Sequence, residues 1–159
     1  AEEETGEIVL TTLQRQATPL LRYRTRDLSC WMGGHCPCGR GHRRLARIKG
    51  RSDDMLIING VNVFPSQIED VLMKTPEVGT NYLIQIEKRG SLDRLTVKTE
   101  IYAKLFTGDA RTLEDLRERL GEALRSAILV KPVVELHEPG SLPVSEGKAK
   151  RVVDLRPAF

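Results

Sequence analysis

Three short segments of the sequence combine turn-forming residues with charged side chains that could act on a nucleotide. They are YRTRD at residues 23–27, GRSDD at 50–54 and LPVSEGKAKRV at 142–152. Lys148 follows Gly147, where the missing side chain allows a close backbone approach, and its flexible ammonium group suits a phosphate or a developing negative charge. Asp27 has two oxygens that can accept hydrogen bonds from the two hydroxyls of a ribose.

Each segment also has a simpler interpretation. A lysine after a glycine, with Lys150 and Arg151 nearby, is more often a solvated basic turn than a catalytic group. An aspartate beside Arg24 and Arg26 is more often one member of a surface ion pair. The segments therefore indicate a function only as an ordered set.

A third kind of chemistry is suggested by a cluster of thiols. Cys30, Cys36, Cys38 and His42 lie within thirteen residues, which is enough for a tetrahedral zinc site that would order the glycine-rich loop 33–43. Their spacing, C-x5-C-x-C-x3-H, is not the common C-x2-C pattern. Cys36 and Cys38 are the better candidate ligands, His42 follows, and Cys30 or His35 come last. The alternative is a set of reduced thiols without a metal.

Composition limits the class of protein. The chain has 159 residues with 40% hydrophobic content, enough for one good core or for a small domain plus part of another. The 25 Lys and Arg against 22 Asp and Glu give too small an excess to imply a nucleic-acid or membrane partner. There is no apolar run of membrane-spanning length, and AEEETGEIVL is neither a signal peptide nor a usual start. We therefore expect a cytoplasmic protein that begins within a fold.

The first part of the chain is expected to be rich in strands. Residues 7–13 and 19–24 predict two strands, and residues 45–48 predict a third after the cysteine-rich loop. Gly50 then interrupts the pattern. We place a boundary near Arg51 to Asp53, which gives a region 1–50 and a domain 51–159.

The second part predicts a small α+β domain. Strands at 55–58 and 61–64 flank an Asn59-Gly60 turn, and Pro65 starts a helix that ends before Pro76. Two further strands are predicted at 81–88 and 95–103, with Leu95, Val97, Thr99 and Ile101 alternating against Thr96, Lys98 and Glu100. A capping box at Thr112 and Asp115 opens a second helix to about residue 130, and a strand follows at 133–137. The second helix carries an apolar stripe made of Leu113, Leu116, Leu120, Leu124, Ala127 and Ile128. The order ββ-α-ββ-α-β predicts two main helices on one face of a mostly antiparallel sheet.

The ordered motifs YRTRD, GRSDDMLIINGVNVFPSQIE and PVSEGK closely resemble the last three core motifs of the adenylate-forming superfamily, the AMP-forming acyl-CoA ligases. The longer segments RYRTRDL and SEGKAKRV are most similar to the phenylacetate–CoA ligase branch. The resemblance covers nearly the whole chain. It implies a mobile C-terminal lid domain at 51–159, preceded by a β-rich end of the large adenylation domain at 1–50. The rest of that N-terminal domain would be a missing partner, without which the segment should be inactive.

The resemblance also implies roles for individual residues. Asp27 would hold the ribose hydroxyls, Arg51 would reach the ribose or phosphates, and Asp53 would be the hinge between two half-reactions. Lys148 would enter the site during adenylation and neutralise charge between the carboxylate and the α-phosphate. In the other orientation the pantetheine of CoA would face the turn made of Gly60, Val61 and Asn62.

The function implied is an AMP-forming ligase that joins an aryl or arylalkyl carboxylate to CoA through an acyl-adenylate. Its cofactors would be ATP or AMP, Mg²⁺ and CoA, with a structural Zn²⁺ as an addition. Its partners would be the acid and CoA, without nucleic acid or membrane, and a homodimer through the full-length protein is left open.

Two alternatives remain at this point. One is a related enzyme that adenylates another acid or a cofactor without forming a thioester. The other is a zinc-loop module for nucleic acid, whose basic flank would be Arg40, Arg43, Arg44, Arg47 and Lys49. Aromatic residues make up only 4% of the chain and none interleaves with that flank, so base stacking has little support.

Overall fold

The computed structural model describes residues 4–105, 110–143 and 151–157. Lys148 and Gly147 lie outside these residues. The chain divides into two compact units, Ala1–Met55 and Leu56–Phe159. The division follows Met55, whereas the boundary predicted from the sequence follows residue 50. Across the described ranges, no helix is both long enough and apolar enough to cross a membrane.

The described part of the first unit, residues 4–55, is built from five strands. They are β1 (Gly6–Leu10), β2 (Tyr23–Ser29), β3 (Trp31–Met32), β4 (Arg44–Leu45) and β5 (Gly50–Arg51). β1, β2 and β5 form an antiparallel sheet in that order, while β3 and β4 pair as a hairpin around the cysteine-rich loop.

The second strand differs from the prediction. The sequence predicts a strand at 19–24, but β2 runs from Tyr23 to Ser29. Arg22 has a φ of 51°, a left-handed conformation, and β2 begins at the next residue. Asp27 consequently lies inside β2 and not after a strand.

The second unit contains both helices and the larger sheet. Its elements are β6 (Leu56–Ile58), β7 (Val61–Val63), α1 (Pro65–Met73), β8 (Val78–Arg89), β9 (Leu92–Ile101), a 3₁₀ turn at Ala103–Leu105, α2 (Ala110–Ile128), β10 (Val133–His137) and β11 (Val152–Asp154). The four-stranded sheet has the order β10-β9-β8-β11; β8 and β9 are antiparallel, and each outer strand is parallel to its neighbour. The predicted α+β class, with two helices and mostly antiparallel strands, is confirmed. β11 was not predicted.

The two helices begin in different ways. α1 has Pro65 in its first turn, and the side chain of Gln67 turns back to accept a hydrogen bond from the backbone N–H of Phe64 at 2.9 Å. α2 begins at Ala110, so Thr112 lies within its first turn and the predicted capping box at Thr112 is wrong. The apolar stripe predicted for α2 is present, and its buried side chains share one core with α1, β8 and β9. That core includes Ile68, Leu72, Ile84, Ile86, Val97, Leu116, Leu120 and Leu124.

Glu100 on β9 is buried, although the alternation of the strand assigns it to the polar face. One of its carboxylate oxygens accepts hydrogen bonds from the Leu142 backbone N–H and the Asn81 side-chain amide, both at 2.9 Å. Burial raises the pKa of Glu100, but the backbone N–H groups of Gly140 and Leu142 and the Asn81 amide outweigh it and lower the pKa overall. The carboxylate therefore ties the turn after β10 to the centre of the sheet.

We expect Glu100→Gln to lower the free energy of unfolding by about 1–2 kcal/mol at neutral pH, because it weakens charge-assisted hydrogen bonds to buried donors. The pKa of Glu100 is lower in the folded than in the unfolded state, so this contribution is present above the ordinary glutamate pKa and is lost as the pH falls through the folded value. Urea unfolding should accordingly show the gap between wild type and variant closing below about pH 4.

Far-ultraviolet circular dichroism is the suitable probe because α1 and α2 both lie in the second unit. Glu114→Gln, which changes an exposed carboxylate paired with Arg117 on α2, is the matched control and should stay within about 0.5 kcal/mol. A gap for Glu100→Gln that is independent of pH would contradict the role of the carboxylate charge.

Candidate functional site

Asp27 and Arg51 are brought together by the pairing of β2 with β5. The register of these strands sets Asp27 directly opposite Arg51, and a guanidinium nitrogen of Arg51 lies 3.4 Å from an oxygen of Asp27. The two residues are 24 positions apart in the sequence. The sheet of the first unit thus builds a contact that the sequence alone does not show.

Asp53 completes this charged cluster. Arg51 donates two hydrogen bonds to Asp53, from Nε–H to Oδ1 at 3.0 Å and from Nη2–H to Oδ2 at 2.9 Å. This is a bidentate contact of guanidinium with carboxylate. The hydrogen bonds from Arg51 hold the pKa of Asp53 below its usual range, and the same contact raises the pKa of Arg51. All three side chains are partly exposed, so the pairs are weak enough to exchange with a ligand.

This cluster can do the chemistry that nucleotide binding requires. The contact between Arg51 and Asp27 is longer than either contact between Arg51 and Asp53, which leaves the oxygens of Asp27 able to accept hydroxyl hydrogen bonds. Arg51 presents a planar cation that can bind a phosphate in the way it binds Asp53. The structure therefore joins three of the predicted residues, Asp27, Arg51 and Asp53.

Arg26 is a member of the cluster that the sequence did not identify as one. Its guanidinium lies 3.8 Å from Asp53, and its backbone carbonyl accepts a hydrogen bond from the Ser52 N–H at 2.7 Å. Arg26 has a φ of 66°, which is uncommon for a residue other than glycine. The signal available in the sequence was its position one residue before Asp27, but its conformation depends on pairing between strands.

The turn between β6 and β7 has the predicted form. Asn59 and Gly60 have φ values of 50° and 82°, the two successive positive angles of a type I′ hairpin turn. Asn59, Gly60 and Asn62 are exposed, while Val61 is partly buried. A β-carbon added at Gly60 would meet no atom within 4 Å, so the turn offers open space to a ligand.

Lys148 lies outside the described residues, but both flanks of its segment are described and anchored. On one side, Leu142 donates its backbone N–H to Glu100. On the other, Arg151 stacks on the Tyr82 ring at 4.4 Å and pairs with Glu69 at 2.5 Å, and its carbonyl accepts from the Ile84 N–H. In the sequence, Arg151 stands out only as a cation near the lysine; its anchoring partners come from α1 and β8.

The predicted metal ligands are brought together only in part. The sulfur atoms of Cys36 and Cys38 lie 2.7 Å apart, and the hydrogen bond from Cys38 lowers the pKa of Cys36. Cys30 directly follows β2, and its carbonyl accepts from the Ala46 N–H. Within the described part of the chain, no three histidine, cysteine or acidic side chains are grouped closely enough to hold a metal ion. A zinc site that includes His42 stays a prediction.

Two proteins with sequences similar to this chain are phenylacetate-coenzyme A ligases. A phenylacetate-coenzyme A ligase of Aromatoleum evansii is 46% identical over 96% of this chain, and a phenylacetate-coenzyme A ligase of Escherichia coli strain K12 is 43% identical over 98% of it. The chain spans 34% and 35% of these two curated relatives, or about a third of their length.

Solved structures agree with these relatives. A crystallised domain of phenylacetate-coenzyme A ligase from Bacteroides vulgatus is 44% identical, with a TM-score of 0.61 over 67% of this chain and 97% of that domain. A 2-hydroxyisobutyryl-CoA ligase in its postadenylation state is 32% identical, with a TM-score of 0.85 over 97% of this chain and 33% of that protein. The same ligase in its thioesterification state matches with a TM-score of 0.62.

The family model named AMP-binding enzyme C-terminal domain matches residues 60–156, more than half of the chain. That range holds the Gly60 turn, both helices, the four-stranded sheet and the segment that carries Lys148. The chain belongs to the family of C-terminal domains of AMP-binding enzymes.

Proposed function

We propose that the complete enzyme, meaning this chain joined to the upstream region of its relatives, is an ATP-dependent, AMP-forming ligase. It activates an aryl or arylalkyl carboxylate, such as phenylacetate, as an acyl-adenylate and transfers the acyl group to CoA. The observation that carries this proposal is the 46% identity to a phenylacetate-coenzyme A ligase over 96% of the chain. The contacts among Asp27, Arg51 and Asp53 support it because they unite residues suited to ribose, phosphate and a hinge.

In the first half-reaction, an oxygen of the carboxylate attacks the α-phosphorus of ATP and pyrophosphate leaves. Asp27 holds the ribose by accepting hydrogen bonds from its hydroxyls, and Arg51 turns from Asp53 toward the nucleotide. Lys148 stabilises the negative charge that develops between the carboxylate and the α-phosphate. Mg²⁺ would supply positive charge to the departing pyrophosphate; among the described residues, no three histidine, cysteine or acidic side chains are grouped to hold it.

In the second half-reaction, the thiol of CoA attacks the acyl carbon and AMP leaves. Gly60, Val61 and Asn62 face the pantetheine, and the absence of a side chain at Gly60 leaves its path open. We assign the change between the two half-reactions to a hinge at Asp53. This is supported by the two states of 2-hydroxyisobutyryl-CoA ligase, whose matching region gives TM-scores of 0.85 and 0.62 and so has more than one conformation.

The missing adenylation domain is the partner we assign to the first unit. Several large apolar side chains of that unit are exposed, a feature of surfaces that pack against further protein. They include Leu13, Leu21, Tyr23, Trp31, Leu45 and Ile48. We keep three further assignments as proposals: a structural zinc held by Cys36 and Cys38 with additional ligands, a homodimer of the complete enzyme, and a cytoplasmic location.

The test is a panel of acids offered to the complete enzyme. We expect acid-dependent exchange of pyrophosphate into ATP with phenylacetate at a rate at least about tenfold above acetate, because a pocket for an aryl group gains binding energy from each apolar contact. Addition of CoA should then yield the thioester, which mass spectrometry detects. Exchange without a thioester would favour the alternative of an adenylating enzyme that does not use CoA. Absence of exchange with every acid would contradict the proposal.

A further inference from the structure

The Asn59-Gly60 turn is fastened to the hairpin of β8 and β9 through Asp93. The side-chain oxygen of Asn59 accepts from the Asp93 backbone N–H at 2.7 Å, and its amide nitrogen donates to the Asp93 carbonyl at 2.8 Å. A carboxylate oxygen of Asp93 accepts from the Asn59 backbone N–H at 3.3 Å. Three hydrogen bonds thus join two residues that are 34 positions apart in the sequence.

Asp93 is itself held in place by two cations. Lys88 donates to one of its oxygens at 3.1 Å, and Arg156 donates to the other at 3.1 Å. Arg156 also donates to the backbone carbonyl of Ile57 at 2.8 Å, on the strand that leads into the turn. The side chain of Asp93 is only 9% exposed, and the hydrogen bond from Lys88 lowers its pKa. We name Asn59, Asp93 and Arg156 the turn clamp.

The turn clamp fixes the turn without occupying the space in front of it. The amide of Asn59 has its oxygen and nitrogen engaged by the Asp93 backbone, so this side chain is committed to holding the turn. Gly60, the next residue, remains exposed with open space above its α-carbon. Both backbone and carboxylate contacts therefore determine where Gly60 lies relative to the sheet of the second unit.

We propose that Asp93 is a positioning residue for the thioester-forming half-reaction, acting through Asn59 to hold the Gly60 turn where the pantetheine arm of CoA passes. This inference rests on the proposed function. A misplacement of about 1 Å in a positioning element is enough to slow a reaction by orders of magnitude, so loosening the clamp should affect the step that uses the turn. The adenylation step does not use the turn and should be spared.

The test uses Asp93→Ala and Asn59→Gly in the complete enzyme. Asp93→Ala removes the carboxylate, and Asn59→Gly removes the paired amide while keeping a residue that adopts a positive φ readily. We expect each to lower kcat/KM for CoA about tenfold, chiefly through KM, with acid-dependent pyrophosphate exchange within about twofold of wild type. Asp93→Asn keeps an acceptor oxygen and the backbone pair with Asn59, and should be intermediate.

Glu87→Gln is the matched control. Glu87 lies on the same hairpin, loses the same single charge, and pairs with Arg94 at 3.6 Å rather than with the turn. Its CoA kinetics should equal those of wild type. Equal losses in exchange and in thioester formation, or unchanged CoA kinetics in both Asp93→Ala and Asn59→Gly, would overturn the inference. If wild type itself forms acyl-adenylate but no thioester, the proposed function fails and this inference fails with it, a result that the variants alone cannot produce.

Discussion

Replacing Lys148 with alanine should lower acid-dependent pyrophosphate exchange by about 10²–10³-fold in the complete enzyme, the usual loss when one group that stabilises transition-state charge is removed. In the mechanism that we propose, the ammonium group neutralises charge only while the carboxylate attacks the α-phosphate. Thioester formation from supplied acyl-adenylate should therefore proceed within about threefold of the wild-type rate, since that half-reaction begins after the step Lys148 serves. Pyrophosphate exchange measures the adenylation step, and rapid-quench experiments with labelled acyl-adenylate measure thioester formation on its own.

Lys150→Ala is the matched control for this prediction. It removes the same charge from the same segment, two residues further along. Its exchange activity should stay close to that of wild type, which would show that the position of the lysine matters and not the net charge of the segment. Equal loss of both half-reactions in Lys148→Ala would contradict the role assigned to Lys148.

Most helices and strands of the second unit could be predicted from the sequence, because the hydrophobic patterns that indicate them are local. The alternation around Leu95 and Val97 predicted β9, and the apolar stripe from Leu113 to Ile128 predicted α2, since each pattern repeats with the period of its element. β11 gave no such signal: it has only three residues, and it is a strand because it pairs with Ile84 to Ile86 of β8. Short strands of this kind depend on tertiary pairing, which periodicity does not report.

In the candidate site too, the sequence predicted the residue types but not the contacts that depend on tertiary structure. The residue types of Asp27, Arg51 and Asp53 indicated nucleotide chemistry, and the resemblance assigned their roles, but their mutual contacts come from the register of β2 against β5. For Glu100 the sequence pattern was misleading. Its place on the polar face of β9 suggested an exposed side chain, whereas the side chain is buried. The turn that ends at Leu142 contacts Glu100, and no pattern within β9 could have predicted that contact.

Replacing Gly60 with leucine should lower thioester formation from acyl-adenylate by about 10²-fold and leave pyrophosphate exchange within about twofold of wild type. We expect this loss of rate because the leucine side chain would obstruct CoA, and not because the substitution would disrupt the fold. A β-carbon at Gly60 meets no atom of this chain within 4 Å, so the side chain would project into open space, which we propose is the path of the pantetheine arm. Stopped-flow measurement of AMP release on mixing acyl-adenylate enzyme with CoA gives the rate.

Gly90→Leu separates this effect from backbone strain. Gly90, in the turn between β8 and β9, also has a positive φ, and a β-carbon placed there likewise meets no atom within 4 Å. Each substitution should therefore cost about 1–2 kcal/mol of stability, because a side chain disfavours the left-handed conformation by that amount. Only Gly60→Leu should slow the CoA step. If the two variants slow it equally, strain in a hairpin turn accounts for the loss and the turn at Gly60 does not face the pantetheine; if Gly60→Leu alone slows it, the open space above Gly60 is the path of the thiol.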